Sequence, residues 1–100
     1  MSNFLSIAEW PVKSVSVPDV TYHLLSPANS QRVAFVISRN RVGQNFSVAF
    51  QKNQPQSLGE MWALNTTFDG FVFDAGVCPT SNIWVYHAVG SATTIFWMEG

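Results

Sequence analysis

Charge is what this sequence has least of. Asp, Glu, Lys and Arg together make up 11% of the 100 residues, against about 25% in ordinary globular proteins. The net charge is −1, with five basic residues in all. A nucleic-acid surface needs several cations following phosphates. The one basic cluster, Arg39-Asn40-Arg41, is too small for that, so no nucleic-acid partner is expected. Cysteine occurs once, at Cys78, which excludes an intrachain disulfide. The two histidines, His23 and His87, are isolated from each other, whereas a zinc site wants three or four ligands at short spacing. No phosphate-cradling glycine loop is present. No apolar run approaches the roughly 20 residues of a membrane helix, and no basic-then-apolar N-terminal stretch marks a secretory signal. The expectation is a chain without cofactor, metal, membrane or catalytic centre, made in a cytoplasm.

Uncharged polar residues fill the gap: Ser, Thr, Asn and Gln number 29, beside a 47% hydrophobic content. That balance argues against disorder, and the length suits a single domain that buries a core without staples. A surface so poor in charge is also easy to desolvate against a partner.

The pattern along the chain is one of short β-branched and aromatic runs between turn residues. Strands are expected at 12–17, 20–25, 32–38, 46–51, 83–88 and 93–98, with short apolar pieces at 60–64 and 71–74. Val33, Phe35 and Ile37 share one face of the third run. In the fourth, Phe46, Val48 and Phe50 point inward and Ser47, Ala49 and Gln51 outward. Pro18-Asp19, the cluster 26–30, the stretch 40–45 with Gly43, and Asp69-Gly70 read as turns. Leu58, Met61 and Trp62 have helical spacing, but Gly59 weakens a helix there. The fold class expected is all-β: a single β-sandwich or jelly-roll-like barrel of about eight short antiparallel strands. Residues 1–11 read as an extended N-terminal arm.

Side-chain chemistry points to surfaces and not to catalysis. Cys78 beside Pro79 has no local nucleophile motif and reads as a core cysteine. Asp69 and Asp74 flank an apolar run and read as turn residues before they read as a carboxylate pair. The aromatics are more informative. Trp84 and Tyr86 alternate with Ile83 and Val85, and Trp97 lies between Phe96 and Met98, so both faces of the last two strands carry large apolar groups. One face must line the core, and the other is available to a partner. Arg39 and Arg41 on their loop are further contact candidates. So is Trp10, which precedes Pro11 and is therefore extended.

The stretch 27–38, Pro-Ala-Asn-Ser-Gln-Arg followed by Val-Ala-Phe-Val-Ile-Ser, resembles the turn-and-strand of small β-sandwich virion proteins of tailed bacteriophages. The alternating 46–51, the apolar piece after Gly59 and the closing Thr94-Ile95-Phe96-Trp97-Met98-Glu99 extend the likeness over residues 25–99. The resemblance implies a virion location, in capsid or tail, and no catalytic residues. It implies a capsid decoration protein that binds the major capsid protein or another virion protein as a homo-oligomer, a trimer in the simplest case. Neck and fibre-base components share the pattern. The resemblance also implies that Arg32 anchors the turn. A carbohydrate- or receptor-binding sandwich that stacks sugars on Trp84 and Tyr86 is the alternative.

Overall fold

Short runs of β-branched and aromatic residues, each closed by proline, glycine or asparagine, pair into strands, and among the described residues there is no α-helix. The computed structural model describes residues 12–39, 45–65, 67–74 and 76–100. Its strands are β1 (Lys13–Val17), β2 (His23–Ser26), β3 (Phe35–Ser38), β4 (Phe46–Phe50), β5 (Trp62–Leu64), β6 (Gly70–Phe73), β7 (Ile83–Tyr86) and β8 (Thr93–Glu99). The helical spacing near Leu58 yields only a 3-10 turn, Leu58–Glu60, before the chain extends into β5.

β1 pairs with β8, β2 with β7, β3 with β6 and β4 with β5, all antiparallel. This is the pairing of one long hairpin whose tip joins β4 to β5. Two further pairs, β3 with β8 and β4 with β7, fold that hairpin into two four-stranded sheets, ordered β1-β8-β3-β6 and β2-β7-β4-β5. Strands β1 to β4 alternate between the sheets and β5 to β8 retrace the path. That order is a jelly roll, the more specific of the two architectures expected.

The core lies between the sheets. Val17, Phe35, Ile37 and Ile95 from the first sheet meet Val48, Leu64, Ile83 and Val85 from the second, with Trp97 closing one end. Alternation places these side chains inside and sends Val36, Val72, Phe96, Met98, Trp84 and Tyr86 to the outer faces.

Several local expectations are corrected. β3 begins at Phe35 and not at Arg32, because Val33 and Ala34 pair with the terminal Gly100 instead, and Val33 is exposed. β2 begins at His23; Val20 sits at φ 52, donating its N–H to the His87 carbonyl. Ala49 has outward parity but is 2% exposed. Its register partner is Trp84, whose indole N–H reaches the Gln51 carbonyl at 3.0 Å and so lies along β4 over the alanine. Asp69-Gly70 is not a hairpin turn: Gly70 is the first residue of β6, opposite Ser38.

Candidate interaction surfaces

Arg32 follows a turn that bonds to itself: the Asn29 side chain accepts from Gln31 N–H, and the Asn29 carbonyl from Arg32 N–H. The turn aims the guanidinium inward, where the residue is 2% exposed. Nε donates to Glu99 Oε2, Nη1 to the Pro79 and Ser81 carbonyls, and Nη2 to Ser26 Oγ and the Pro27 carbonyl, at 2.7–3.0 Å. All of the side chain's N–H donors are thereby used. One residue ties β2, the 79–81 loop and the end of β8 together.

Glu99 completes the cluster, accepting also from Ser26 Oγ and the Trp97 indole, with Lys13 Nζ at 3.5 Å. Burial by itself would push this carboxyl up. The hydrogen bonds from Ser26, Trp97 and Arg32, with the Lys13 charge, outweigh burial and hold it below the usual carboxylate range. The consequence for stability follows from linkage. The contribution is complete above the unfolded value of about 4.3, and it is lost as pH falls through the lower folded value. Urea unfolding followed from neutral pH to below pH ~4 should show this loss in the parent. Glu99→Gln should be less stable at neutral pH and flatter over the acid range; an equally steep acid loss in the variant would assign it to other carboxyls.

Cys78 packs against the core beside this cluster. Burial raises its thiol, with the Arg32 charge opposing and Glu99 adding, so the protonated, unreactive form is favoured. His87 is buried at the opposite end, its Nε2 2.7 Å from the Val17 carbonyl and its Nδ1 3.4 Å from Asp19 Oδ1. Among the described residues no group of three or more His, Cys, Asp or Glu could hold a metal ion.

Trp84 and Tyr86 stand half-buried on the outer face of the second sheet, where Tyr22 packs on Tyr86 at 4.7 Å between centroids and Leu24 is the register partner of Trp84. The sequence reading missed Tyr22 and Leu24, because only the β2–β7 register brings them to the same face. On the outer face of the first sheet, Val12, Val36, Ser38, Phe96 and Met98 line an open groove of about 150 Å³. Arg39 is not a free loop cation. Its side chain is 10% exposed and bonds Asp69 at 3.1 Å and Asn45 at 3.0 Å, tying the start of the 39–45 connection to the approach to β6. Trp10 and Arg41 lie outside the described residues.

A further aromatic seam runs where the open edges of the two sheets meet. Phe71 of β6 touches Phe50, Trp62, Phe68 and Phe73, with centroids 4.9–6.1 Å apart. Trp62 and Phe68 are exposed there. The sequence showed the aromatics but not that β5 and β6 would be neighbouring edges.

Compared with family models, curated proteins and solved structures, the chain matches none. Among the described residues no helix is long and apolar enough to cross a membrane.

Proposed function

We propose that this chain is a structural virion protein of a tailed phage, a capsid decoration protein that binds the capsid lattice as a homo-oligomer and performs no catalysis. The observation that carries the reading is the disposition of surface: both sheets present large apolar side chains outward, while several of the scarce charges are tied up within the chain. Lys13 and Arg32 are bound to Glu99, and Arg39 to Asp69. A jelly roll is a frequent architecture of viral capsid domains, which is support by analogy of fold. The mechanism is area multiplied by copy number: each copy binds a repeated site modestly, and linkage within the oligomer converts that into avidity.

The Tyr22, Trp84 and Tyr86 face favours one alternative, a carbohydrate-binding module, since rings with an apolar face and a polar tip are suited to sugars. One pair of measurements separates them. The purified chain should co-sediment with empty capsids of its own phage, and Trp84→Ala/Tyr86→Ala should weaken this by about thirtyfold, the loss of an interface anchor of roughly 2 kcal/mol. No sedimentation together with a saturable hit on a glycan array would replace the first reading with the second.

A further inference from the structure

A jelly roll in two open sheets leaves four strand edges, and a protein avoids unwanted pairing by blunting such edges with charge, proline, bulges or brevity. Three of the edges here are blunted. β1 carries Lys13 with Ser14 and Ser16, and Pro18 follows it. β2 is broken by a register shift between Leu24 and Ser26 and ends against Pro27. β5 is three residues long. β6 has none of these devices. Its sequence is Gly-Phe-Val-Phe, it pairs with β3 in unbroken register on one side, and among the described residues no strand pairs with its other side. Val72 at its centre is 71% exposed on the outer face, while Phe71 on the inner face touches the exposed Trp62 and Phe68.

We propose that β6 is the edge through which a second copy of this chain docks, by antiparallel β6–β6 pairing about a two-fold axis at Val72. The inference rests on the homo-oligomer reading and names its surface. The register is dictated by face matching: residues directly opposite each other must point to the same side of the sheet. Centring on Val72 sets Val72 against Val72, and each Phe71 against the other copy's Phe73. The stacked pair within one copy, 5.3 Å between centroids, meets the same pair of the other copy in a two-by-two group of four rings across the join, and aromatic cross-strand pairs are favourable. The charges are compatible as well. Asp74 falls opposite Gly70, and Asp69 opposite position 75, so no acid faces an acid, and Asp69 is already neutralised by Arg39. The backbone groups on the open side of β6 gain partners, and sheet β1-β8-β3-β6 becomes one continuous eight-stranded sheet. An isologous edge makes a dimer, two copies where the resemblance implies three.

The test is Val72→Lys, which places a charge on the edge without touching the core, compared with Val12→Lys at the other edge of the same sheet, where Val12 is also exposed. Light scattering of the full chain at micromolar concentration should give twice the 11.1 kDa of one chain for the parent and for Val12→Lys. Val72→Lys should give half that mass with an unchanged far-ultraviolet circular dichroism spectrum. A Val72→Lys variant that keeps the parent's oligomeric mass overturns β6 as the docking edge while leaving self-association intact. A monomeric parent overturns both, and a parent of three copies overturns the two-fold edge.

Discussion

Replacing Arg32 with alanine is expected to cost about 3–5 kcal/mol of folding stability, the range for removing one partner of a buried ion pair. The loss has two sources. The Glu99 carboxylate, whose side chain is 12% exposed, is left short of its counter-charge in a partly dry site. The carbonyls of Pro27, Pro79 and Ser81 lose their Arg32 donors, Pro79 keeping only the long contact from the Cys78 thiol, and part-buried acceptors left unmet carry a desolvation penalty of their own. Arg32→Lys should recover little, because an ammonium offers three donors from a point where this site uses a planar fork. Removing both charges in Arg32→Met/Glu99→Gln should be less damaging than Arg32→Ala. Urea unfolding monitored by tryptophan fluorescence measures all three. A loss under about 1 kcal/mol for Arg32→Ala, the size of an exposed pair, would show that the cluster is not what joins this end of the barrel.

The second large effect is expected at Gly70. A Cβ built there would overlap the Ile37 carbonyl oxygen and stand 2.6 Å from Ser38 Cα, and both obstacles are backbone of β3. A flexible side chain can swing aside; a hydrogen-bonded strand cannot. Gly70→Ala should therefore cost about 3 kcal/mol, at or beyond the upper end of ordinary overpacking, by prising β6 from β3. Gly90→Ala is a useful contrast. A side chain there meets open space, but the backbone sits at φ 95, so its cost is conformational and smaller, near 1 kcal/mol. If both variants unfold at the same denaturant concentration as the parent, the close approach of β6 to β3 is not present in solution. Amide exchange provides a local check: the protection of residues 71–73 should fall in Gly70→Ala before that of β7 does.

How far each feature was legible depended on the range of the interaction behind it. The strand runs 46–50, 83–86 and 93–99 were readable because alternation and β-branching act over neighbouring residues. The ends of β2 and β3 were not. Val20 is turned aside by the His87 carbonyl, and Val33 and Ala34 are claimed by Gly100, partners more than sixty residues away. Asp69-Gly70 misled for the same reason. The dipeptide suits a turn locally, but this glycine serves the approach of one strand to another, the other standard use of glycine in a sheet. Ala49 alternates outward as its position requires and is covered only because β7 sets Trp84 beside it.

By itself, then, the amino-acid order determined an all-β chain of about eight strands, the large apolar groups on both faces of β7 and β8, and the scarcity of charge, because propensity, periodicity and composition are local or summed quantities. Tertiary structure alone decided which strands are neighbours, and three things follow from that choice. It made a jelly roll of those strands, since many pairings satisfy the same alternation. It drew Arg32, Ser26 and Glu99 into one buried cluster from positions as far as 73 residues apart, where long-range hydrogen bonds, invisible to any window of sequence, offset the burial of charge. And, among the described residues, it left β6 as the one edge without a guard, because an edge is a strand that no other described strand pairs on that side.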